Sequence, residues 1–299
     1  MVLYSSNFTQ LTDLDPVLTE IFHQHYSQIA PKREQIFGVR NSSKAKETDL
    51  RIDSFGDPTE FNGTVEYETP DRDYEVEYVH TQFTKGFMVE RAMLDDMQYD
   101  NIFSQASNMG TAFARKQEKD AASVFNNAFT AGATVGYDAV ALCSDSHPRS
   151  RTNATTVDNN LALTLTSANL ETAITTMQAF RDDQGEEISI MPDTLLVPRA
   201  LRKTGMELTG SALTPESANN ATNVHSGMNL VVWEYLTDTN AWFVIDSTMA
   251  KRYLKWYNRV PVEFAAEDSF DTLVRKFRGY MRYSYGWSDF RWVIGSNPS

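Results

Sequence analysis

One amphipathic run constrains this chain more than any other feature. Across residues 95–129, Ile102, Phe103, Ala106, Met109, Phe113, Ala121, Val124, Phe125 and Ala128 recur every three or four positions. That is the period of a helix with a single apolar stripe. Asp95 and Asp96 stand where carboxylates favour the positive end of a helix, and Gly132 offers a stop. At 1.5 Å per residue the helix would be roughly 50 Å long, a scaffold beam rather than a catalytic element. The stretch 271–285 offers a partner of matching length. Leu273, Phe277, Met281, Tyr283 and Tyr285 are assigned to one face, and Val274, Lys276, Arg278, Tyr280 and Arg282 to the other. Such a strand exceeds the usual length and could run beside the helix.

Other segments are shorter. Residues 1–46 read as an arm with one helix, opened by Pro16 and stopped by Pro31. Within 47–90, turn signals at Gly56-Asp57-Pro58, Asn62-Gly63 and Pro70-Asp71-Arg72-Asp73 separate short β-like runs. Tyr74, Val76 and Tyr78 alternate with Glu75, Glu77 and Val79, the period of a strand with one wet face. This predicts a long hairpin projecting from the body. A hairpin so poor in apolar residues is marginal alone, so it is expected to rest on another chain. A strand is expected from Asp138 toward His147, a helix from an N-cap at Ser167, and a buried strand at 193–198. A helix through Leu201 and Leu208 and a polar loop at 210–227 follow. Further strands are expected at 230–236, 242–245 and 253–257. The order is mixed α+β rather than a regular βαβ repeat.

Composition narrows the function. Hydrophobic residues make up 41% of the chain, enough for a sizeable core. No run of 18 apolar residues marks a membrane helix, and no basic stretch followed by an apolar one marks a secretory signal. The lone Cys143 excludes a disulfide framework and a cysteine-rich zinc site. A formal charge of −13 argues against a DNA-reading domain, because such domains carry a basic face.

Few constellations could carry chemistry. Cys143, His147 and Asp145 permit a nucleophile, base and orienter. The plainer reading is a turn in which Ser144, Asp145 and His147 satisfy backbone groups before Pro148. There is no GxGxxG, P-loop or HExxH. No catalytic, cofactor or metal residue is assigned. Arg275, Lys276, Arg278 and Arg282 form a basic cluster in an acidic chain. Contact with DNA and pairing with a neighbouring subunit are both open to it. Pairing is preferred, because the hairpin offers Asp57, Glu60, Glu66, Glu68, Asp71 and Asp73, with Arg72 beside them, and complementary charges fix register between copies.

Several stretches in order resemble tailed-bacteriophage major capsid proteins of the HK-ninety-seven-like fold. Lys85-Gly86-Phe87-Met88-Val89-Glu90 followed by Asp95-Asp96 is similar to that family's return from hairpin to spine helix. Ala141-Leu142-Cys143-Ser144-Asp145-Ser146-His147-Pro148, with Asn153 downstream, resembles its His-Pro turn. Residues 163–185, then Met191-Pro192-Asp193-Thr194-Leu195-Leu196-Val197-Pro198, resemble its apical helix and strand. Asp289-Phe290-Arg291-Trp292 matches a common ending.

The resemblance implies an N-terminal arm (1–46), an extended loop (47–90) and a peripheral domain with the spine helix (91–160). An apical domain (161–257), long peripheral strands (258–285) and a C-terminal segment (286–299) complete it. It implies hexamers and pentamers closing an icosahedral shell around double-stranded DNA, in a virion assembled in the host cytoplasm. A separate scaffolding protein and a portal are the expected partners, a decoration protein is left open, and no cofactor and no membrane are expected. The chain starts almost at its arm, an expectation that favours a separate scaffold or an already mature chain. Some relatives cross-link through a lysine in the extended loop; no Lys lies between Lys46 and Lys85, so non-covalent assembly is expected. Two other readings stay open: a same-fold shell of a cellular compartment, and a soluble Cys/His hydrolase.

Overall fold

The computed structural model describes residues 10–65, 67–70, 72–134, 136–210 and 222–298. Helices α1 (Asp15–Gln28) and α2 (Arg33–Ile36) lead to β1 (Gly38–Asn41). Strands β2 (Lys46–Ile52) and β3 (Arg72–Val79) pair antiparallel, and β4 (Thr81–Glu90) follows after one residue. The short α3 (Arg91–Asp95) precedes α4 (Tyr99–Asn126). Next come β5 (His147–Pro148), β6 (Thr156–Val157), β7 (Asn160–Leu161), α5 (Ser167–Gln178), β8 (Thr194–Val197), α6 (Arg202–Gly210) and β9 (Asn229–Val232). The order ends with β10 (Trp242–Ile245), α7 (Ser247–Tyr253), β11 (Leu254–Ser269), β12 (Val274–Trp287) and β13 (Val293–Ser296).

The amphipathic run forms α4, of 28 residues, but starts later than its acidic pair suggests. Asp95 ends α3 and pairs with Arg91 at 3.0 Å. Met97, at φ 54°, sits in the left-handed region and divides the two helices. Asp95 and Asp96 therefore close one helix rather than open the next.

The buried stripe of α4 faces a four-stranded sheet in the order β1-β11-β12-β4. Strands β11 and β12 are antiparallel over nearly their whole length. Pro261 is tolerated inside β11 because the register shifts between Asn258 and Glu263, a bulge that spares the ladder a missing N–H. The expected boundary at 257/258 thus falls inside one continuous strand. Two glycines set how closely the layers approach. A Cβ on Gly279 of β12 would lie 2.5 Å from the Phe113 ring on α4, and one on Gly110 would lie 2.4 Å from the Phe22 carbonyl on α1. Around these contacts Phe22, Phe87, Phe113, Phe264 and Phe277 pack ring on ring.

A second sheet, in the order β7-β13-β10-β8-β9, buries Leu195, Val197, Trp242, Val244 and Ile294 against Leu170, Ala173 and Met177 of α5. The N-cap of α5 is Thr166, whose hydroxyl accepts from Asn169 N–H, one residue before the expected Ser167. The strand expected from Asp138 is absent: Ala139 has φ 60°, and the Asp138 carboxylate accepts from Val140 N–H. Such a local side-chain bond offers the backbone an alternative to a ladder.

The hairpin also differs from the expectation. Asp73, Val76 and Tyr78 of β3 are buried against the chain's own body, with Tyr74 on Tyr137 at 5.1 Å and Tyr78 on Tyr257 at 5.3 Å. β4 belongs to the long sheet. Among the described residues, no helix is long and apolar enough to cross a membrane.

Filling the tightest contact tests the layer arrangement. Gly279→Val should cost about 1–3 kcal/mol by overpacking, seen as a lower denaturant midpoint of the unassembled chain.

Candidate functional site

Cys143 and His147 lie close in sequence, but the fold employs them separately. Cys143 is fully buried, and burial pushes its thiol well above the ordinary range, although the Gly295 backbone bond pulls slightly the other way. His147 is fully buried too. Its Nδ1 faces Asp138 Oδ2 at 2.7 Å and its Nε2 faces the Leu142 carbonyl at 3.1 Å. A carbonyl only accepts, so Nε2 carries a proton. The ring also stacks on Phe290 at 4.0 Å. Neither nitrogen is left to serve a thiol, so the pair lacks the geometry a nucleophile and base require. Among the described residues, no group of His, Cys, Asp and Glu could hold a metal ion.

The dominant electrostatic feature is a buried charge network beneath the β2–β3 pair. Arg51 of β2 ion-pairs with Asp73 of β3 at 3.1 Å and with Asp289 at 3.2 Å. Arg291 ion-pairs with Asp289 at 2.9 Å and donates to the carbonyls of Arg181 and Arg149, each at 2.8 Å. Asp73 also accepts the Arg151 N–H at 2.7 Å. Burial alone would raise the Asp289 pKa; Arg291 and Arg51 outweigh it and hold the carboxyl below the usual carboxylate range. At Asp53, where burial acts together with Asp73 and Asp183, the pKa rises instead. The network ties the hairpin base, the 147–153 turn, the end of α5 and the segment before β13 into one unit. A cleft of about 670 Å³ opens beside it, lined by charges of both signs including Arg40, Asp49, Asp183, Arg252 and Lys255.

In the sequence, Asp289-Phe290-Arg291-Trp292 stands out only as an ending shared with the family it resembles. Its charges alternate with Phe290 and Trp292, which is the available signal: a carboxylate and a guanidinium between buried rings need each other. Arg51 carried no such signal, because its partners lie far away in sequence.

The residues expected to meet a neighbouring copy divide into three groups. Arg275 already pairs within the chain, with Asp15 Oδ1 at 2.7 Å and Asp268 at 2.6 Å, and lies on the buried face of β12. Asp73 is buried in the network. Both are therefore committed internally, because a charge taken out of water must find a partner. Lys276, Arg278 and Arg72 are exposed, as are Asp57, Glu60 and Glu68; Arg282 is half-buried. Glu66 and Asp71 lie outside the described residues. The connection 53–70 also holds Phe55, Phe61, Val65 and Tyr67 in solvent, Tyr67 at 93% exposure.

Asp289→Asn should destabilise the chain by about 3–5 kcal/mol, because it leaves the buried Arg291 without a carboxylate and Arg51 with Asp73 alone. The sign with pH follows from the lowered pKa: this contribution is present above the ordinary carboxylate range and fades as pH falls through the folded value. Urea unfolding of both chains across that range measures it.

A family model described as phage capsid protein matches residues 73–295. No curated protein matches the chain. Among solved structures, the chain is similar to the capsid of cyanophage P-SCSP1u, at 11% identity over 90% of this chain and 88% of that one, with TM-score 0.59. It is similar to the bacteriophage JBD30 capsid, at 16% identity over 77% of this chain and all of that one (100%), with TM-score 0.57. It is also similar to the virus-like particle from Pyrococcus furiosus, at 11% identity over 94% and 98%, with TM-score 0.54. These likenesses place the α4 beam, long sheet and second sheet in the HK-ninety-seven-like fold. With the matched stretch covering most of the described structure, the chain belongs to the phage capsid protein family.

Proposed function

We propose that this chain is the major subunit of a tailed-phage head, closing as hexamers and pentamers into an icosahedral shell around double-stranded DNA. The family match supports a capsid subunit. The observation that carries the reading is the connection between β2 and β3. A monomer has no use for Phe55, Phe61, Val65 and Tyr67 in water. No Lys or Arg lies between Arg51 and Arg72, so the segment is also uniformly acidic. An apolar, acidic protrusion on a folded base is suited to a complementary surface on another copy. Lys276 and Arg278, exposed on the outward face of β12, are the proposed partners of Asp57, Glu60 and Glu68. Such pairs would set register between copies more than affinity.

The subunit takes a structural role without catalysis in this reading. It is located in the virion, with assembly in the host cytoplasm alongside a separate scaffolding protein, a portal and a decoration protein. A second reading is a same-fold shell of a cellular compartment; the likeness to the virus-like particle from Pyrococcus furiosus keeps it as a minor alternative.

Electron microscopy of the purified protein should show closed shells, with nuclease-protected DNA inside when they come from infected cells; protein cargo in place of DNA would favour the second reading. Arg278→Glu should reduce particle yield severely while leaving the monomer folded. On a denaturing gel the shells should run as single chains, because residues 47–84 contain no lysine for a covalent link.

A further inference from the structure

The extended run 72–90 changes sheets at one residue. β3 ends at Val79, paired with Lys46 of β2, and β4 begins at Thr81, paired with Tyr283 of β12. His80 alone lies between them, and it is buried at 4% exposure. A corner between two sheets is an unusual place to seal an imidazole from water.

Both ring nitrogens are held. Nε2 lies 3.1 Å from Ser42 Oγ and Nδ1 lies 2.9 Å from Ser284 Oγ. The Ser42 hydroxyl donates to Glu47 Oε1 at 2.7 Å, and its oxygen also receives the Lys44 N–H at 3.2 Å. Having spent its proton on Glu47, Ser42 can only accept from the ring, so Nε2 carries the hydrogen. Nδ1 then accepts from Ser284. The neutral ring thus fastens the turn after β1, the start of β2 through Glu47, and β12 to the β3–β4 corner.

A second proton has to enter at Nδ1, where Ser284 must rotate its hydrogen away. The new charge would face Arg282 of β12, whose Nε approaches the His80 carbonyl at 3.4 Å, and Arg259 of β11, which donates to the Lys44 carbonyl. Glu47 of β2 is the facing carboxylate, and Lys44 already engages it at 3.2 Å. Burial first, then Arg282 and Arg259, lower the pKa of His80 against the opposing pull of Glu47. The neutral clasp is therefore intact above the ordinary histidine range and is lost as pH falls below it, through the lowered folded value. The other end of β3 behaves differently: Asp73 is tied to Arg51, and Arg51 to Asp289, whose carboxyl is held below the usual range.

We propose that His80 is an acid-sensitive clasp: its protonation opens the β3–β4 corner while the Asp73 end stays anchored, so the β2–β3 pair pivots and re-aims the loop it carries. This inference concerns the single chain and stands apart from whether that loop meets another copy.

Amide hydrogen exchange on the full-length protein, corrected for intrinsic pH dependence, tests it between about pH 7.5 and about pH 5. Exchange at residues 76–84 should rise by about tenfold or more in acid while residues 109–113 of α4 stay protected. His80→Gln, which can donate and accept but cannot ionise, should abolish the rise. Ser284→Ala removes the partner of Nδ1 and should move the midpoint to higher pH. The proposal is overturned if the wild-type corner does not respond, if α4 opens with it, or if the response persists in His80→Gln. Should His80→Gln fail to fold, an unmoved midpoint in Ser284→Ala overturns it alone.

Discussion

The burial of one helix stripe governs this molecule. Most of a helix's stability in a protein comes from the surface that covers its amphipathic face. Near its middle, Phe113 of α4 meets the ring of Phe22 and the bare backbone of Gly279. Near its end, Phe125 meets Phe37, Trp233, Phe243 and Trp292. The first set belongs to the helix layer and the long sheet; the second includes rings from around the second sheet. Each such side chain contributes about 1.5–3 kcal/mol when fully buried, so one helix fastens two sheets that make no ladder with each other.

The charge network acts on a different scale. Removing four charges from water costs several kcal/mol per ion, and the attraction between them roughly returns that cost. The network between Arg51, Asp73, Asp289 and Arg291 therefore adds little net stability. It selects instead: Arg51 reaches Asp289 and Asp73 reaches the Arg151 N–H only when the β2–β3 pair is seated in this position, whereas an apolar contact would tolerate sliding.

The regular elements were legible where period and length agreed. The stripe of α4, β8 within 193–198 and β10 at 242–245 are close to their sequence readings. The hairpin was half legible. Alternation of Tyr74, Val76 and Tyr78 says that one face is dry, but not which chain keeps it dry, and here the chain covers its own strand. The basic strand is split for a related reason. Arg275 and Arg278 are three apart, so they point to opposite faces of β12, one toward Asp15 and the other to solvent. The network and the His80 clasp were not legible at all. Arg51 with Asp289, and His80 with Ser42 and Ser284, meet through topology, and no local pattern encodes pairs so distant in sequence.

The order of strands in the second sheet has a consequence for synthesis. β13 lies between β7 and β10, yet it follows both in the chain. Until residues 293–296 have left the ribosome, β10 has an open edge, and Asp289 and Arg291 are not yet beside Arg51. The base that orients the β2–β3 loop is thus among the last parts to be fixed, although the loop is made early. Nascent chains growing side by side on one message would carry apolar, acidic loops without a settled direction. The direction of the protrusion is thus settled only when the chain is nearly complete.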